Sequence, residues 1–212
     1  MVHASRINLY LARALALVGW AALIVQCYLS VRTQQQLGHS AAYGVFMYAG
    51  YFTILTNAFC ALVATACTRN TPSLDFWRQP WVVTAAAMAI VMVGIVFHLL
   101  LSKTYQPTGL PAVTNLIHHY LVPTVFAVFW WRVVPRGALQ WSDAWRVGAY
   151  PAAYLVYIAA RGEMTGVYPY WFVDVATIGY ANALRNSAGL AVVFGLASLT
   201  FVAVKRGSGR PE

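Results

Sequence analysis

Apolar runs about as long as a bilayer is thick recur through this chain, and they leave it few other ways to fold. A hydrocarbon core of about 30 Å takes roughly 20 residues of helix to cross. Runs of that kind stand at residues 8–31, 45–67, 80–101, 112–134, 144–160 and 184–204. The segments between them are too short for a soluble domain. The expected architecture is therefore all-α and polytopic: one integral membrane domain over residues 1–212 with six transmembrane helices. Pro151 interrupts the fifth run, which ends at Arg161, but a kinked helix among neighbours can re-satisfy its freed backbone groups. Charge agrees, because only 9% of the residues are charged against roughly 25% in a soluble domain.

The formal charge of +9 gains its meaning from where it lies. With the N-terminus inside, Arg6, Arg13, Arg69, Arg78, Arg132, Arg136, Arg146, Lys205, Arg206 and Arg210 fall on the inner side. Arg32, Lys103, Arg161 and Arg185 then fall outside. That asymmetry over short loops is the positive-inside pattern. It orients the protein with both termini in the cytoplasm and removes nucleic acid as the reason for the charge. Basic inner loops also fit a bacterial plasma membrane. The first run has no small-residue cleavage site after it and reads as an uncleaved helix. Cys27, Cys60 and Cys67 lack metal or redox spacing, and the tryptophans cluster near span ends as interface anchors.

Against this apolar background the polar residues of the spans are conspicuous. "YFTILTN" carries Thr53, Thr56 and Asn57 at i, i+3 and i+4, which share one helical face. In "AVTNLIHHYLVP", Asn115, His118 and His119 form a second set. On the topology above, Thr53 lies roughly 12 Å below the outer end of a straight second span at 1.5 Å per residue. The asparagine and histidines of the fourth span share that layer. His98 is near the outer end of the third, and the outer loop adds Glu163, Tyr168, Tyr170 and Asp174. Asp174 is the better loop candidate, being set among aromatics. Ionisable groups at membrane depth are costly and mark a functional site.

A threonine hydroxyl becomes a useful nucleophile when a neighbouring base takes its proton, and histidine suits that task. Thr53 with His118 would form such a dyad. Attack on an ester would give an oxyanion that Asn57 or a tyrosine hydroxyl could stabilise. Thr56, Asn115, His119, Tyr168 and Asp174 are the supporting candidates. No metal or other cofactor is required, since adjacent histidines on a helix diverge by about 100° and are poorly placed for one ion. Three other readings compete. His98 with His118 or His119 could ligate a b-type haem, the polar layer could be a transporter's binding site, or the chain could be a non-catalytic membrane scaffold. A transporter would more often show inverted repeats and broken helices.

The segments "GYFTILTN", "TNLIHHYLVP" and "TGVYPYWFVD" resemble the androgen-induced and androgen-dependent membrane hydrolase family and its bacterial relatives. The resemblance implies a multi-span threonine hydrolase that cleaves fatty acid esters of hydroxy fatty acids drawn from the bilayer. The family's nucleophilic threonine follows an aromatic residue in the second span, as Thr53 follows Tyr51 and Phe52. Its catalytic histidine stands shortly before a proline in the fourth span, as His118 stands before Pro123. Gly166, Tyr168 and Pro169 match its loop pattern. Asn115 stands where animal members carry a second histidine.

Overall fold

The computed structural model describes residues 5–69 and 71–207, and among the described residues the ordered elements are all helical. Four helices are long and apolar enough to cross a membrane: α1 (Arg6–Gln36) and the stretches Pro80–Leu101, Leu110–Val133 and Val175–Lys205. A bent pair, α2 (Ala41–Ala49) and α3 (Phe52–Thr68), adds a fifth when it is counted as one broken span. The architecture is that of an integral membrane protein. The fifth apolar run lies within α7 (Asp143–Thr165), which is long enough to span but is broken in its hydropathy by Arg146, Pro151, Arg161 and Glu163.

Packing is organised around α4 (Pro80–Val96). Some 67% of its apolar window is buried, against 11% for α8 (Val175–Lys205). Its small residues Ala85, Ala86, Ala87 and Ala89 are almost wholly enclosed, so neighbouring backbones approach closely, which is how helices gain van der Waals contact in lipid. Around α4 sit α3, α7, α8 and the helix formed by α5 (Leu110–Leu116) and α6 (Val122–Val133). One end of the bundle is tied by Arg132, whose Nε donates to Asn8 at 3.0 Å, and by Lys205, whose Nζ donates to the Trp131 carbonyl at 2.6 Å. The starts of α1 and ends of α6 and α8 therefore meet.

Two departures from straight spans shape the site, apart from a kink at Gly179 near the start of α8. The second apolar run does not cross as one rod: α2 and α3 meet at 77° across Gly50 and Tyr51. A helix end leaves carbonyls without partners, and α7 takes up those of α2. Tyr154 donates to the Gly50 carbonyl at 2.8 Å, Tyr157 to Ala49 at 3.2 Å and Arg161 Nη2 to Phe46 at 3.1 Å. Arg161, expected as an outer loop charge, is instead buried against the Phe46 ring at the carbonyl end of α2. A cation there complements the helix dipole. Thr53 accordingly lies in the first turn of α3, not a third of the way down a continuous span.

The second departure is a pair of π-helical turns, Phe97–Leu101 after α4 and Ile117–Leu121 between α5 and α6. Pro123 explains the latter. It has no N–H, so a carbonyl on the preceding turn loses its donor and the helix widens.

The α1–α2 corner is tight. A Cβ on Gly44 would sit 2.6 Å from the Val31 Cα, and Ser30 Oγ donates to the Gly44 carbonyl at 2.9 Å. The obstacle is backbone, so it cannot rotate away. Gly44→Ala should therefore destabilise the fold by about 1–3 kcal/mol, read as an earlier unfolding midpoint in mixed micelles, while Gly189→Ala, with open space around it, leaves the midpoint in place.

Candidate functional site

Thr53 and the histidine pair do meet, but through His119 and not His118. Thr53 Oγ1 stands 3.4 Å from His119 Nε2, a loose separation of the kind that unloaded sites show before substrate tightens them. His119 Nδ1 lies 3.1 Å from the Asn115 carbonyl. A carbonyl only accepts, so Nδ1 carries the proton and Nε2 presents a lone pair to the threonine. The imidazole is held flat against Phe97, with ring centroids 3.7 Å apart and planes 20° from parallel. Phe97 opens one π turn and His119 lies within the other, so the two widened turns jointly fix the ring.

His118 points elsewhere. It is buried and faces the Ala22 carbonyl of α1 without closing a well-formed hydrogen bond. The physical reason is angular: neighbours on a helix diverge by about 100°, and a π turn alters the phase that a straight α-helix would give. Both nitrogens of His119 face protein partners, while neither nitrogen of His118 has a hydrogen-bond partner among the described residues. His98 is paired through Nδ1 with the Tyr120 hydroxyl at 3.3 Å. Among the described residues no three His, Cys, Asp or Glu side chains gather as a metal site requires.

Asn57 has a different place from the one expected. Its Nδ2 donates to the Thr53 carbonyl at 2.8 Å and to the His118 carbonyl at 3.3 Å. Both amide hydrogens are thereby used, so it ties α3 to the π turn and has none left for an oxyanion. Thr56 turns to the Tyr150 hydroxyl at 3.0 Å. The Asn115 side-chain oxygen is buried without a partner beside the cavity described below.

The outer loop contributes through Tyr170, two residues beyond Tyr168. The Phe52 amide donates to the Tyr170 hydroxyl at 3.1 Å, and the same hydroxyl lies against the hydroxyl and amide of Thr53. Burial pushes this phenol up to about 12, so it is a neutral O–H donor near pH 7. Tyr168 instead donates to Glu163 at 3.2 Å and covers Gly162. Asp174 caps α8, accepting from the amides of Ala176 and Thr177 and from the Thr177 hydroxyl. Neither residue lines a cavity that Thr53 lines. The clue to Tyr170 was the aromatic run "YPYWF" in a loop otherwise needing none, but spacing could not say which ring turns inward.

Thr53 occupies a wall shared by two cavities, together with Phe97, Leu101 and Tyr170. One is a narrow slot of about 60 Å³ between α4, α7 and α8, bounded by Met92, Val96, Leu155, Leu190 and Phe194. The other is wider, about 380 Å³, and reaches α1 and α2 past His119 and Asn115. Comparison with family models, with curated proteins and with solved structures finds no match in any of the three.

Proposed function

We propose that this protein is an intramembrane hydrolase of lipid esters, with Thr53 as nucleophile, His119 as general base and Tyr170 as oxyanion donor. The observation that carries the proposal is the chain of contacts Thr53 Oγ1, His119 Nε2, His119 Nδ1 and the Asn115 carbonyl. It has the arrangement of an activated nucleophile: a hydroxyl beside a base that a third group orients. The resemblance noted in the sequence supports the same reaction and implies fatty acid esters of hydroxy fatty acids as substrates. Six spans, with α7 as the fifth, and both termini in the cytoplasm of a bacterial plasma membrane complete the reading. The basic residues that meet at one end of the bundle support that orientation.

In this mechanism Thr53 Oγ1 attacks the ester carbonyl carbon while His119 Nε2 takes its proton. The carbonyl electrons move onto oxygen, where the Tyr170 O–H and the Thr53 amide donate to the oxyanion. Tyr170 is a better donor because it already accepts from the Phe52 amide, and hydrogen bonds in series polarise one another. The positive end of α3 adds to this stabilisation. Collapse breaks the ester C–O bond, and the departing alkoxide takes the proton from His119. Water then attacks the acyl-threonine, giving its proton to His119; collapse breaks the acyl C–Oγ1 bond, Thr53 Oγ1 takes that proton back, and the acid is released.

A fluorophosphonate lipid tests the proposal directly. The native chain in membranes should lose fluoride from the probe and carry the phosphonyl group on Thr53, found by mass mapping of the modified peptide. An unlabelled chain, or a label on another residue, would overturn the assignment. Tyr170→Phe keeps the ring and removes the donor. Its kcat should fall about a hundredfold, the scale of one lost oxyanion donor, with KM little changed in steady-state hydrolysis.

A further inference from the structure

The wide cavity carries chemistry that a hydrolase of purely apolar esters would not need. Along α1, otherwise strongly apolar, Gln26, Ser30, Thr33 and Gln34 recur at i, i+4, i+7 and i+8 and line this cavity together. That spacing puts them on one face. Gln26 and Ser30 tie α1 to its neighbours, but the face as a whole has hydrogen-bonding capacity to spare. The Thr114 hydroxyl donates to Gln26 Oε1 at 2.6 Å, and among the described residues the Gln26 amide nitrogen has no acceptor. Among the described residues the side chains of Thr33 and Gln34 make no protein hydrogen bond, and the Ser30 hydroxyl is committed to the Gly44 carbonyl. Tyr51 and Tyr105 extend the polar lining on the other sides. Among the described residues no Lys, Arg, Asp or Glu lines it.

Resting on the hydrolase reading, we infer that the wide cavity binds the alcohol part of the ester, and that this part is neutral and hydroxyl-rich, of the glycerol or sugar type. Three observations converge. The cavity starts at Thr53 and passes His119, which must return a proton to the leaving alkoxide. Its lining offers uncharged amides and hydroxyls, and the alcohol part of a glyceride carries hydroxyls to match them. Its volume of about 380 Å³ is many times the roughly 10–15 Å³ that a single water requires of such a cavity, room enough for such a headgroup. The apolar slot on the other side of Thr53 takes the start of the acyl chain. A hydroxy fatty acid would place methylenes against the glutamines and would find no cation among the described residues that line the cavity.

The test uses the full chain in lipid nanodiscs with two esters of the same acyl group, 1-oleoylglycerol and the oleoyl ester of a hydroxystearic acid. The glyceride should be cleaved with a kcat/KM roughly tenfold higher, the scale of one hydrogen bond gained. In the double variant Gln26→Leu, Gln34→Leu the advantage should shrink by a similar factor through a raised KM for the glyceride. Preference for the hydroxy fatty acid ester, or an advantage unmoved by the variant, would overturn this inference and leave the hydrolase standing. Phosphonyl labelling of Thr53 with neither ester cleaved would also overturn it. Neither ester cleaved and no label on Thr53 would instead remove the hydrolase reading itself.

Discussion

Replacing His119 with alanine should lower ester hydrolysis by about a thousandfold, within the range set by a positioned general base, and should abolish phosphonyl labelling of Thr53. His118→Ala should retain most of the activity per folded molecule. The two residues are adjacent and chemically identical, so the contrast isolates geometry. His119 presents Nε2 to the threonine because the Asn115 carbonyl holds the proton on Nδ1 and Phe97 holds the plane. His118 faces α1, and the imidazole that stands at Oγ1 is that of His119. Hydrolysis and labelling are measured on protein recovered as a single species by size exclusion, which separates loss of the base from loss of the fold. A larger defect in His118→Ala than in His119→Ala would mean that the π turn shifts by one residue when substrate binds.

The sequence made the membrane architecture legible because crossing a bilayer needs long apolar runs, and length and composition report that without any tertiary knowledge. It also drew attention to Thr53 and the histidines, since polar groups within such runs stand out. What it could not supply was phase. Thr53, Thr56 and Asn57 share a helical face on paper, yet Thr56 meets Tyr150 on α7 while Asn57 reaches the π turn. The choice between His118 and His119 depends on a widened turn, and that depends on how Pro123 is accommodated against neighbouring helices. The bend at Gly50 was likewise hidden, because its stability comes from Tyr154, Tyr157 and Arg161, about a hundred residues further along the chain. Asp174 looked functional from its aromatic neighbours, but a carboxylate just before a helix is also what a cap requires.

The second large effect is expected at a residue that never touches substrate. Pro123 leaves the His118 carbonyl without the main-chain donor that a regular π turn would provide, and Asn57 Nδ2 supplies the substitute at 3.3 Å. The same nitrogen holds the Thr53 carbonyl at 2.8 Å, so one amide fastens together the backbones that carry nucleophile and base. Asn57→Leu keeps the approximate volume and removes both bonds. It should destabilise the protein by about 1–3 kcal/mol, the scale of a buried polar group left unsatisfied. Because a misplacement of 1 Å can cost about a hundredfold in rate, the surviving folded fraction should also be slow. Asn57→Asp would be as poor, for it offers carbonyls an acceptor where they need a donor, whereas Asn57→Gln should recover part of the stability through the same amide. Unfolding midpoints and single-turnover acylation rates, measured on the three variants together, separate this clamp from an ordinary packing residue: packing alone would rank leucine above aspartate and give glutamine no advantage.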